Sequence, residues 1–158
     1  PDGAWPGFDG VYLFSDFVCG GIFALRPAGA GYVASDFVTN LGANSAASVD
    51  YPDYAIPVAE GVQSGKVDRG ILVCGTGHGM CIAANKVAGI RAANCRDVID
   101  AELSRRHNDA NVMCLSADLI SEDAMERMVK TWLGTKFEGN RHARRVEKIA
   151  KYEGEHRG

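Results

Sequence analysis

The sequence predicts an α/β fold, a three-layer sandwich with a mostly parallel central sheet and helices on both faces. Three observations carry that prediction. From about residue 50 onward, short apolar runs alternate with amphipathic stretches of 10–15 residues, the pattern of repeated βα units. The apolar runs are continuous rather than alternating, as expected of strands covered on both sides. A glycine-rich stretch follows at once on one of those runs, at Gly75-Thr76-Gly77-His78-Gly79, where ligands bind in such sheets.

The elements follow in order. Val11 to Phe14 reads as an opening strand with Ser15-Asp16 at its carboxyl end. The segment Cys19 to Gly31 carries Gly20, Gly21, Pro27, Gly29 and Gly31, which argues against a regular helix there. Tyr32 to Thr39 reads as a second strand. Asp53 to Gln63 reads as a helix, with Tyr54, Ile56, Val58, Ala59 and Val62 apolar, Gly65 past its end and Pro57 placed in its first turn. Gly70 to Cys74 and Gly89 to Ala93 are strand candidates. Asp97 is placed to cap a helix running to His107, and Asn111 to Leu115 is a further buried strand. Ser121 is placed to cap a helix to Leu133, with Glu122 and Asp123 near its positive end. A last helix covers Arg141 to Tyr152. The whole, 1–158, reads as a single domain.

Composition narrows the function. At 158 residues, 46% apolar and 23% charged, the chain has the make-up of one soluble globular domain, and disorder is excluded. Glycine alone departs from the norm, 19 of 158 against about 7%. No apolar run reaches the roughly 18–20 residues that span a bilayer, and no signal peptide is expected. Residues 1–65 hold seven acidic side chains and one basic, whereas 66–158 hold thirteen acidic and sixteen basic. The basic cluster Arg141-His142-Ala143-Arg144-Arg145 lacks interleaved aromatics, so it suits a small anionic ligand better than nucleic acid. Five cysteines, an odd count with no C-x-x-C spacing, fit neither a disulfide framework nor a structural zinc site. Reduced thiols and a cytoplasmic location are expected.

Three known glycine loops are excluded by residue. A dinucleotide fingerprint starting from Gly75 and Gly77 needs glycine where Met80 stands, and the Gly-Lys-Ser/Thr ending of a phosphate-binding loop is absent. A cysteine phosphatase loop would need arginine, again at Met80. What remains is a thiol, Cys74, at a strand end, followed by backbone N–H groups able to form an anion-binding nest. A positive helix end beside a thiol lowers its pKa from about 8.5. Thiol and nest together suit removal of a proton alpha to a carbonyl, with the enolate held by backbone donors; equally, Cys74 is a small core residue and the glycines a tight turn. His107 follows Arg105 and Arg106 and precedes Asn108-Asp109-Ala110-Asn111, a second polar constellation able to exchange protons near neutrality. Arg141 and Arg145, four apart on one helix face, can grip a phosphate together; the alternative is a solvated face paired to Glu138 or Glu147. His78 and His142 have no assigned role.

Taken together these segments resemble the type B ribose-5-phosphate isomerases, the family that also holds the subunits of galactose-6-phosphate isomerase. The resemblance runs from about Ser48 to Lys151. It rests on Ser48 to Ala55, on Gly70 to Met80, on Ile82 to Val87 and on Gly89 to Ala92. It continues through His107 to Val112 and from Phe137-Glu138-Gly139 to Arg145 through Ile149. It implies a Rossmann-like form of the three-layer sandwich, a dimer or dimer of dimers whose active sites draw on both subunits, a sugar phosphate substrate, and no metal or organic cofactor. Cys74 then matches the base that moves a proton between C1 and C2. Thr76 and the loop Gly75, Gly77, Gly79 match positioning and anion-stabilising elements. His107 matches the group that opens the furanose ring, Asp16, Asp50, Tyr51 and Asn108 match sugar contacts, and Arg141 and Arg145 match phosphate ligands.

Residues 1–44 diverge from that family. Phe17 follows Asp16 where a histidine is usual, Asp118 stands where an arginine is usual, Cys81 replaces a serine and His78 an apolar residue. Three readings therefore stand side by side. The first is isomerisation of ribose 5-phosphate and ribulose 5-phosphate. The second is the same chemistry on another sugar phosphate or a free aldose. The third is a non-catalytic subunit of a heteromeric isomerase.

Overall fold

The computed structural model describes residues 11–15, 24–28, 31–35 and 49–156. Six strands form one sheet in the order β3-β2-β1-β4-β6-β5. They are β1 (Val11–Ser15), β2 (Ala24–Ala28), β3 (Gly31–Ser35), β4 (Arg69–Cys74), β5 (Ala92–Asn94) and β6 (Val112–Ser116). The pairs β1·β4, β4·β6 and β5·β6 are parallel, whereas β1·β2 and β2·β3 are antiparallel. The parallel sheet therefore carries an antiparallel extension at its β1 edge.

Side-chain alternation along the central strands decides how the layers close. Leu72 and Cys74 on β4, with Val112 and Cys114 on β6, join one core cluster with α1 (Pro52–Gln63) and α2 (His78–Ala84). The intervening Ile71, Met113 and Leu115 join a second cluster with α3 (Val98–Asn108) and α4 (Glu122–Gly134). Each cluster lies on one face of the sheet, since successive strand residues point to opposite sides. The three-layer expectation is met, and α5 (Asn140–His156) packs beside α3. Among the described residues no helix is long and apolar enough to cross a membrane.

Several boundaries differ from the sequence reading. β2 was not expected: Pro27 lies inside it, opposite Tyr32, and glycine and proline there conceal the strand signal. The second strand expected at 32–39 corresponds to β3, Gly31–Ser35, and residues 36–39 lie outside the described residues. The strand expected at Gly89–Ala93 is instead Ala92–Asn94. Gly89 has φ +73°, and the Arg91 N–H donates to the Asn111 side-chain oxygen at 2.8 Å rather than to a ladder. Helix α1 begins at Pro52, so Pro57 falls in its interior and not its first turn. Asp97 caps α3 as expected, its carboxylate accepting from the Asp100 N–H at 2.7 Å. Ser121 stands at the cap position of α4 but its side chain makes no capping bond.

Candidate active site

Cys74 ends β4 with its side chain buried. The chain then turns through Gly77, whose φ of +76° lies in the left-handed region that favours glycine, and enters α2. That turn brings the Gly77 N–H to within 3.1 Å of the Cys74 Sγ, to which it donates. The glycines are also needed for space. A Cβ on Gly77 would lie 2.4 Å from Asn94 Oδ1, and one on Gly79 would lie 2.6 Å from the Tyr51 ring. The Tyr51 ring thus lies against the loop, with exposed Asp50 next to it in the chain. Thr76 is exposed, and its carbonyl oxygen lies 3.0 Å from His78 Nδ1.

Two residues that the sequence reading did not single out complete this end. Ser116 Oγ donates to the Gly75 carbonyl at 2.6 Å. Asn94 donates to the Thr76 carbonyl at 3.4 Å, while its Oδ1 finds no partner among the described residues. Both terminate strands, β6 and β5, so the rule that sites lie at carboxyl ends could have found them.

The remaining candidates gather elsewhere. Helix α3 leaves the carboxyl end of β5 and must return to the amino end of β6, so its C-terminal residues His107 and Asn108 sit at the opposite end of the sheet from Cys74. The Gly70 N–H accordingly donates to the Asn111 carbonyl at 2.9 Å, and the Arg91 Nε to that of Asn108 at 3.0 Å. The five residue steps from Arg69 to Cys74 along β4, at about 3.3 Å each, separate the two ends by roughly 16 Å. At this far end the His107 ring stacks on that of His142, centroids 4.2 Å apart and planes within 3°. Glu138 reaches to 3.9 Å from His107 and 4.0 Å from His142, and receives Arg106 at 3.2 Å. Arg141 Nε donates to His142 Nε2 at 3.3 Å. Burial and the neighbouring positive groups push the His142 imidazole below its usual pKa, consistent with a neutral ring that accepts. Arg141 and Arg145 are exposed and make no ion pair among the described residues, so the pairing to Glu138 or Glu147 is absent there. Asp16 lies outside the described residues.

His107, Glu138 and His142 present donor atoms within 4.8 Å of one another. Parallel stacked rings, however, aim their in-plane lone pairs side by side and not at one ion, and Arg106 and Arg141 already engage Glu138 and His142. The trio is therefore not arranged to hold one cation.

The sequence profile of the Ribose/Galactose Isomerase family matches residues 30–149. The chain is 47% identical to ribose-5-phosphate isomerase B of Escherichia coli over 116 residues, 73% of this chain and 78% of that one. It is similar in structure to ribose-5-phosphate isomerase B of Clostridium thermocellum, with TM-score 0.72, 50% identity and 73% and 78% of the two chains covered. It is also similar to the Mycoplasma genitalium ribose-5-phosphate isomerase B solved with bound ribulose 5-phosphate, with TM-score 0.69, 46% identity and 73% and 77% covered.

Proposed function

The chain belongs to the ribose/galactose isomerase family, and on that premise we propose that it interconverts ribose 5-phosphate and ribulose 5-phosphate by proton transfer at Cys74. The observation that carries the mechanism is the Gly77 N–H on the Cys74 sulfur at 3.1 Å, at the carboxyl end of a parallel strand. The thiolate takes the proton from C2 of the open-chain aldose. The C–H electron pair becomes the C1–C2 double bond of an enediolate, whose oxygen is stabilised by the loop N–H groups. Return of the proton to C1, with transfer between the two oxygens, gives the ketose. Thr76 positions the sugar, and Asp50, Tyr51 and Asn108 contact its hydroxyls.

His107, the group that opens the furanose ring, cannot reach Cys74 of its own chain across the sheet. The reading therefore calls for a homodimer, alone or as a dimer of dimers, in which one copy supplies Cys74 and its loop and the other supplies His107, Asn108, Arg141 and Arg145. The guanidiniums of Arg141 and Arg145, which make no ion pair among the described residues, would take the phosphate. Such a pair is isologous and closes with two equivalent sites. A substrate of this kind belongs to the cytoplasm. A coupled assay of ribose 5-phosphate isomerisation tests the proposal: Cys74→Ala should lose at least about 10³-fold in kcat, and a variant that keeps its turnover removes the base.

A further inference from the structure

One charged group at the Cys74 end is left without a role. Beyond β6 the chain is tied to the glycine loop by two backbone bonds, Ala117 N–H to the Cys74 carbonyl at 2.9 Å and Asp118 N–H to that of Gly75 at 3.1 Å. Ser116 Oγ, which donates to Gly75, also accepts from the Leu119 N–H at 3.1 Å. Asp118 is thereby fixed at the rim of the loop, and its Oδ2 lies 2.8 Å from the point a Cβ on Gly75 would occupy. Gly75 does not have a positive φ, so the absence of a side chain there makes room for the carboxylate. The group is exposed and makes no ion pair among the described residues. A carboxylate with no ion-pair partner among the described residues of its own chain thus stands a few ångströms from the backbone that must receive an anionic substrate.

We infer that Asp118 is a specificity-determining residue that keeps the phosphate end of the substrate away from the Gly75 rim and weakens the binding of phosphorylated sugars. The inference rests on the isomerase reading above for the identity of its substrate. A carboxylate repels a phosphate dianion with twice the energy of a single charge, while it accepts hydrogen bonds from sugar hydroxyls. The hydroxyl-bearing end of the sugar therefore faces Asp118, and the phosphate turns toward guanidinium groups elsewhere.

Steady-state kinetics on the full chain test this with Asp118→Asn, which keeps the shape and removes the charge, and Asp118→Ala, which removes both. Expected in both variants is a fall in KM for ribose 5-phosphate of about three- to tenfold, with kcat changed less than about twofold. The competitive inhibition constant of inorganic phosphate should fall in parallel. A KM that is unchanged or higher in Asp118→Asn overturns the inference, the higher value marking the carboxylate as a required hydroxyl acceptor. Should the wild-type chain not turn over ribose 5-phosphate, the isomerase reading fails on its own. Calorimetric titration with inorganic phosphate then decides, tighter binding by Asp118→Asn supporting the charge effect and equal binding refuting it.

Discussion

Mixing two inactive variants should restore activity. Cys74→Ala removes the proposed base at one end of the sheet and His107→Asn removes the imidazole at the other. Proton transfer needs heavy atoms about 3 Å apart, and the length of β4 keeps the two ends of one chain roughly 16 Å apart. If each site takes Cys74 from one copy and His107 from the other, a mixed pair has one site carrying both substitutions and one carrying neither. Random reassociation of equal amounts makes half of the pairs mixed, so about one quarter of the wild-type rate should return. Each variant alone should keep no more than about 10⁻² of that rate, a gap of at least 25-fold. The assay is coupled isomerisation of ribose 5-phosphate after the two chains are unfolded together and refolded, with the separately refolded variants as controls. A mixture no faster than the mean of its components would refute the shared site and with it the placement of His107.

Two further outcomes test the chemistry and packing around that site. Cys81 is half-buried on α2, and hydrogen bonds from Cys114, the Asn94 backbone and Asn85 hold its thiol pKa down at about 7 against the effect of burial. Burial pushes Cys95 up to about 11, and Cys114 is raised by its bond to Cys81 and by burial. Iodoacetamide followed by mass spectrometry should therefore label Cys81 with a half-maximal rate near pH 7 and leave Cys95 and Cys114 unmodified in the native protein; labelling in the reverse order would contradict the assignment. Trp132 is fully buried in the cluster under α3 and α4, and its indole N–H donates to Ser104 Oγ at 3.1 Å. Trp132→Ala should destabilise the protein by about 3–5 kcal/mol in urea titrations, and a loss under about 1 kcal/mol would mean that this side of the core does not pack as described.

What the sequence disclosed, and what it hid, follows the range of the forces involved. Helices α1, α3, α4 and α5 were legible because their apolar spacing is a local signal, and Asp97 marked a start through a bond to a residue three positions on. The chemistry of the loop was legible for the same reason: thiol, glycines and turn are contiguous. β5 was misplaced because Gly89 to Ala93 is a run of strand length, yet Ile90 is buried from a turn and the Arg91 N–H is taken by Asn111, twenty residues away. Asn94 and Ser116 went unnoticed because nothing in their own neighbourhoods marks them. They meet Thr76 and Gly75 only through the register that sets Asn94 beside Cys114 and Cys74 beside Ser116.

The division of the candidate site between two ends of the sheet has a similar origin, and it bears on how motifs should be read in this fold. In a parallel sheet every crossover helix begins at the carboxyl ends and finishes at the amino ends. A group carried on the loop after a strand and a group carried on the last turn of a helix are therefore held apart by the whole length of the sheet, whatever their spacing in the chain. Cys74 and His107 are such a pair, and Arg141 and Arg145 stand on a helix that begins beside His107. Chemistry that needs the thiol and the imidazole together in this chain must recruit the second group from another copy. The fold, more than any single contact, thus makes association a condition of the proposed activity.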